Sequence, residues 1–187
     1  TIRGSGWKAI KVIWGRERDE QLARDPEGVL VQRMADVVDG EWQKYSVEPG
    51  SSTREHFFGV DPRLQAMVAD KTDDELKGLR RGGHDYRKLY AAYKKATEPN
   101  GAPTVILAKT VKGWTLGSSV EARNITHQAK KMHDDEVRVF RDRLELPIPD
   151  EQLKDVPYYH PGPDSPEIKY LQERRAELGG PSPRRVV

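Results

Sequence analysis

The 187-residue chain contains no cysteine. This excludes a disulfide framework, a cysteine nucleophile and cysteine-ligated zinc, and it fits a reducing compartment. No apolar run approaches the roughly 20 residues needed to cross a bilayer, so no membrane span is expected. Residues Thr1–Trp7 do not form a signal peptide. An excess of one charge is also missing, because 32 basic and 30 acidic residues leave a net charge of +2. The short basic runs Arg80–Arg81, Lys94–Lys95 and Lys130–Lys131 read as solvated helix faces. Aromatic residues are scarce, at 7%, and they lack the basic interleaving of a stacking platform, so nucleic acid is not an expected partner. No carboxylate–histidine cluster has metal-site spacing, and Asp73-Asp74 and Asp134-Asp135 fall at helix starts, where negative charge is favourable anyway.

What remains has the length of one ordinary domain. Hydrophobic residues make up 35% and charged residues 33%, a lean supply of core side chains that calls for exposed helices or for surface supplied from elsewhere. Ala9–Trp14 reads as a buried strand ended by Gly15, and Pro103–Ala108 as a second. Arg16–Arg24 is helix-prone. Leu30, Met34, Val37 and Val38 recur at helical spacing and predict an amphipathic helix over 29–43. Ser52 with Glu55, and Thr72 with Glu75, have capping-box spacing; the first predicts a short helix through Phe58, the second one running to about Arg81. Pro62 suits a helix start. Asp85 can cap a helix that carries Tyr86, Leu89, Tyr90 and Tyr93 on one face. A turn is expected at Glu98-Pro99-Asn100-Gly101. Further on, Asp134–Leu144 reads as helix, Asp150–Lys154 as a short helix, and Ser165 opens a last helix with Ile168, Leu171 and Leu178 inward. The Gly- and Pro-rich tail from Gly179 looks like a linker.

Strands separated by helices indicate α/β architecture. Two strands make a poor sheet, because a central strand needs neighbours on both sides to satisfy its backbone groups. Together with a start just ahead of a strand, this predicts a piece of something longer. Ligands of open α/β sheets bind beyond the carboxyl ends of the strands. The loops after Trp14 and from Lys109 to Gly117 would border one site if the strands are parallel neighbours. The second loop offers lysines for an anion and glycines for close backbone approach, without the spacing of a Walker loop. His84 suits either a turn hydrogen bond or chemistry. His127, in a polar stretch, could donate a proton, whereas His56, His133 and His160 read as surface or packing residues.

Two segments carry a resemblance: Gly82-Gly83-His84-Asp85 with the following Leu89–Ala96, and Pro103–Gly113. They resemble the later half of the diphosphate-binding domain of transketolase-like enzymes. Gly6–Gly15 and Asn124–Met132 are similar to the homodimeric, thiamine-diphosphate-dependent pyruvate dehydrogenase E1 family of bacteria. The resemblance implies an incomplete three-layer α/β domain over 1–146. Within it, 16–81 would be a helical insertion and 109–133 the active-site loop region. Residues 147–187 would form an extended segment, a terminal helix and an interdomain linker. It also implies decarboxylation of pyruvate on thiamine diphosphate with Mg2+, whose ligands would lie upstream of this chain, and reductive acetylation of the lipoyl group of the acyltransferase E2. Expected partners are the rest of the same polypeptide, a second E1 subunit and E2, in the bacterial cytoplasm. Lys112 would face the cofactor-bound substrate. His127 would assist acetyl transfer. Glu121, Arg123, Asn124 and Gln128 would belong to a loop that closes over the site. Gly15, His84, Thr110 and Gly113 would lie near the cofactor. Trp114 departs from the smaller aromatic expected there. The isolated chain would be inactive. The alternatives are a non-catalytic assembly fragment and a transketolase-like two-carbon transferase; the 16–81 insertion and the His127 segment argue against the latter.

Overall fold

The computed structural model describes residues 1–98 and 101–182. The expected turn at 98–101 and the end of the tail therefore fall partly outside the described residues. The chain forms two compact units, Thr1–Lys131 and Met132–Val187.

The first unit contains the sheet. Strands β1 (Lys8–Val12) and β2 (Thr104–Ala108) pair in parallel, with Lys8 opposite Thr104 and Val12 opposite Ala108. The expected α/β class is borne out, with a parallel pair as the whole sheet among the described residues. Both strands therefore end on the same side, and the loops after them are neighbours. A helical segment separates them: α1 (Asp19–Ala23), α2 (Val29–Asp36), α3 (Asp39–Val47), α4 (Gly50–Thr53), α5 (Pro62–Ala66), α6 (Asp73–Lys77) and α7 (Tyr86–Thr97).

The main core lies in this helical segment and not on the sheet. Leu30, Trp42, Tyr45, Phe57, Phe58, Leu64, Val68 and Leu76 form one buried cluster. Phe57 and Phe58 are both fully buried, each worth about 1.5–3 kcal/mol. Consecutive residues of an α-helix point about 100° apart, so burying both is awkward. The chain meets this with a π-helical turn at Arg54–Phe58 directly after α4. Arg33 donates to the carbonyls of His56 at 2.9 Å and Phe57 at 3.2 Å. Arg54 donates to the carbonyl of Val68 at 3.0 Å and pairs with Asp73 at 2.8 Å. The two guanidiniums thus tie together the carbonyls of these irregular turns.

Several local expectations change. The helix expected over 29–43 is two helices, because Val37 adopts an extended conformation and enters the core. Burial of that one side chain outweighs the helical spacing. No capping box forms at Ser52; α4 already begins at Gly50 behind Pro49. The box at Thr72 and Glu75 does form, but its helix stops at Lys77 and not near Arg81. The chain leaves the helix at Gly78, and Arg81 is extended where it forms an antiparallel bridge with Trp14. Asp85 caps α7 as expected, and Tyr86, Tyr90 and Tyr93 of that helix are exposed.

In the second unit, α8 (Asp134–Arg143) is followed by a 3-10 turn at Asp150–Asp155 and by α9 (Pro166–Glu177). Arg141 ties the first two together through Asp150 at 2.7 Å and the Ile148 carbonyl. Ser165 caps α9 by accepting from the Ile168 N–H at 3.3 Å. Leu171 and Leu178, expected inward, are exposed.

The Gly82–His84 turn locks the sheet end. The Gly82 N–H donates to Ile13 at 2.8 Å and the Gly83 N–H to Lys109 at 2.9 Å, so one turn bonds the chain beyond both strands. A Cβ at Gly82 would stand 2.6 Å from the Val12 carbonyl, and one at Gly83 would stand 2.6 Å from the Thr110 methyl. Gly82→Ala is expected to cost about 1–3 kcal/mol by overpacking. Gly40→Ala, where a Cβ meets open space in α3, should be neutral or stabilise by up to about 1 kcal/mol. Denaturant midpoints of the two variants check this; equal midpoints would deny the turn its role.

Candidate functional site

Three backbone segments meet at the carboxyl ends of the strands: Trp14-Gly15 after β1, the Gly82–His84 turn, and the loop from Lys109 after β2. Asp85 fastens the first to the second. Its carboxylate is fully buried and accepts from the N–H groups of Arg16 at 2.8 Å, Arg87 at 3.1 Å and Lys88 at 3.3 Å. Burial opposes its ionisation, but these donors and the Arg16 guanidinium hold it below the usual carboxylate range.

His84 fastens the third. Its Nε2 accepts from the Val111 N–H at 2.6 Å, and its ring stacks on Trp114 with centroids 4.2 Å apart and planes 16° apart. An accepting Nε2 makes this the neutral ring protonated at Nδ1. Burial, first of all, pushes its pKa below the ordinary histidine value. The sequence left His84 open between a turn bond and chemistry; its observed role is to hold the loop.

Beyond Val111 the loop curls back on itself. The Ala122 N–H donates to the Lys112 carbonyl at 2.9 Å. The Thr115 N–H donates to the Glu121 carboxylate at 3.1 Å. Thr126 Oγ1 donates to the Arg123 carbonyl at 2.7 Å. Thr115 and Ala122 both take positive φ, at 76° and 61°, an uncommon geometry for residues with a Cβ that clusters at functional loops. The fold-back brings Lys112 Nζ to 2.7 and 2.8 Å from the two ring nitrogens of His127. Gln43 of α3 reaches the Ala122 carbonyl at 3.2 Å and Asn124 Oδ1 at 3.5 Å, tying the loop to the helical segment.

A cavity of about 310 Å³ opens between these parts, with Lys112, His127, Arg123, Asn124 and Thr110 in its wall. These five expected site residues are thus brought together. Glu121 and His84 line a neighbouring cavity of about 360 Å³ under the loop. Gly113 packs against Thr126, and Gly15 against Arg80 and Glu17. Gln128 is exposed and lines neither cavity. Among the described residues, no group of three or more His, Asp or Glu side chains could hold a metal ion. No described helix is long and apolar enough to cross a membrane.

Sequence reading missed the aromatic pair that holds the cations beside the site. Trp14 and Trp42 lie with ring centroids 4.8 Å apart, and four contacts join them to Arg81 and Lys109 at 5.0–5.4 Å. Arg18 stacks on Trp14, Phe57 and Phe58. Burial, followed by the charge of Arg81, lowers the Arg18 pKa to about 9. The short run Arg80–Arg81, read as a solvated face, is half wrong: Arg81 is only 8% exposed. No periodicity could have shown that these cations share one aromatic pair.

No family model matches the chain. Its relatives define a class nonetheless: they are pyruvate dehydrogenase E1 components of bacteria, and the chain spans about a fifth of the length of the curated relatives it matches. It is 56% identical over 98% of its length to the pyruvate dehydrogenase E1 component of Corynebacterium glutamicum. The same share of the chain is 54% identical to that of Mycolicibacterium smegmatis and 47% to that of Escherichia coli K12. The chain is homologous to a segment of the bacterial pyruvate dehydrogenase E1 component, and the resemblance read from its motifs is borne out.

The His84 geometry has a pH consequence. A buried histidine with a depressed pKa favours the neutral state, so the unfolded chain binds the extra proton. Stability from His84 is present above the unfolded value of about 6.5 and is lost as pH falls from there towards the lowered folded value. His84→Phe keeps the stack and strands the Val111 N–H, which should cost about 1–3 kcal/mol at neutral pH. It should also flatten this part of the acid limb. Denaturation of both proteins from pH 5 to 8 is the check, and an unchanged limb would exclude a neutral, bonded His84.

Proposed function

We propose that this chain is part of a pyruvate dehydrogenase E1 component. The whole enzyme decarboxylates pyruvate with thiamine diphosphate and Mg2+ and reductively acetylates the lipoyl group of the acyltransferase E2. It works as a homodimer in the bacterial cytoplasm. The observation that carries the reading is the Lys112–His127 pair in a basic cavity at the strand ends, in a chain homologous to such components over nearly its whole length.

On this reading the magnesium ligands lie in the remainder of the polypeptide, as the resemblance implies. Thiamine diphosphate supplies the electron sink for the chemistry when bound. The residues of this chain do the rest. Lys112 holds positive charge at the cavity wall, where a substrate carboxylate or a developing oxyanion would be stabilised. His127 exchanges a proton with the lipoyl sulfur when the disulfide opens, acting as general acid. Glu121, Arg123 and Asn124 set the fold of the loop that carries His127, and Gln128 lies just beyond it on the exposed side. Gly15, Thr110 and Gly113 allow the backbones to approach closely, and His84 fixes the loop base. Loop closure excludes water from the site.

Two outcomes are expected of the intact enzyme. His127→Ala should slow lipoyl acetylation by about 100-fold or more while decarboxylation monitored with an artificial electron acceptor falls far less. Lys112→Gln should lower both. Equal losses in both assays for His127→Ala would refute its assignment to acetyl transfer. Intact mass under denaturing conditions should show a species far heavier than the 21.3 kDa of this chain. A sole species of that mass should have no decarboxylase activity, and turnover by it would overturn the reading.

A further inference from the structure

Arg81 and Lys109 stand together at the strand ends without a carboxylate at ion-pair distance among the described residues. Arg81 directs one terminal nitrogen at the Ser46 hydroxyl (2.9 Å) and the Trp42 carbonyl (3.3 Å). Lys109 faces indoles, with its Nζ 5.4 Å from the Trp14 centroid and 5.3 Å from that of Trp42, and the nearby Asp39 offsets part of its charge. The Arg81 guanidinium lies over the same two rings, at 5.4 and 5.0 Å. Indole faces stabilise a cation, but two cations on one pair of rings repel each other. Burial, and then the neighbouring charge of Arg81, pulls the Lys109 pKa below its ordinary value. Both side chains line the 310 Å³ cavity, where Lys112 and Arg123 add further positive charge and Asp39 is the one acid in the wall. A cavity of that size is at the small end of ligand pockets. Its charge suits an anion, and an anion between the two cations would remove their repulsion.

We propose that Arg81 and Lys109 form a subsite for a small oxyanion, a carboxylate or a phosphate group, beside Trp42 in the cavity whose wall also carries Lys112 and His127. The subsite goes beyond the pyruvate reading, and its test needs no turnover, so either can fail without the other.

The test is calorimetric titration of the intact polypeptide with acetate and, separately, with inorganic phosphate, at ionic strength held constant with chloride. Saturable binding is expected. Lys109→Gln should weaken it about tenfold or more, as for a hydrogen bond to a charged group, whereas Lys109→Arg and Lys112→Gln should change it far less. Saturation by acetate alone marks a carboxylate subsite, and saturation by phosphate alone a phosphate subsite. Should Lys109→Gln not fold, fluorine NMR of fluorotryptophan-labelled wild type gives the same answer. The signals of Trp14 and Trp42 should shift on titration while those of Trp7 and Trp114 stay. Absence of saturable binding overturns the proposal. So does binding that Lys112→Gln abolishes and Lys109→Gln leaves intact.

Discussion

The Gly82–His84 turn rests on the ends of two parallel strands, and the rest of the first unit is arranged around that contact. Two successive N–H groups bond Ile13 and Lys109, the residues just past β1 and β2. Side chains at Gly82 or Gly83 would collide with backbone and with Thr110, so the approach is possible only with glycine. The two residues that follow extend the same contact. His84 holds the loop after β2, and Asp85 holds the turn after β1 while capping α7. Four consecutive residues thereby join both strand ends, one helix and the loop after β2.

The electrostatics follow from that joint. Its approach path, the stretch from Gly78 to Arg81, carries Arg81 under the two indoles, and β2 delivers Lys109 to the same rings. The helical segment supplies Trp42 from α3 and buries Arg18 against Phe57 and Phe58. Its aromatic core is therefore more than padding. It is the surface on which several cations are held near a cavity whose wall also carries Lys112, Arg123 and His127. Aromatic faces tolerate buried cations without neutralising them, so the positive potential is kept for whatever enters.

Much of this was legible in the sequence. Both strands, the Asp85 cap, the Thr72 capping box, the proline at the start of α5 and the helices near 134 and 166 rest on short-range chemistry, and all of them formed, although the strands, expected buried, are mostly half-buried or exposed. The family resemblance, not spacing, marked 109–133 as an active-site loop region, and five of the expected site residues in it line one cavity. The misreadings have a common cause. A helix over 29–43, a cap at Ser52 and a helix to Arg81 each satisfy local spacing, and each loses to a distant requirement: burial of Val37, the π turn that admits Phe57 and Phe58, and the bridge from Arg81 to Trp14.

The sequence by itself determined the α/β class, the glycine pair, the caps at Thr72, Asp85 and Ser165 and the segment that carries Lys112 and His127, because these depend on backbone geometry and on neighbours within a few residues. Only the tertiary structure decided which cations share which aromatic rings, that His84 is a neutral anchor for Val111, and that Lys112 meets His127. The pairings of Arg81, Lys109, His84 and Lys112 join residues 15 to 95 positions apart. Contacts at such separations are selected by packing of the whole unit, and no local pattern encodes them.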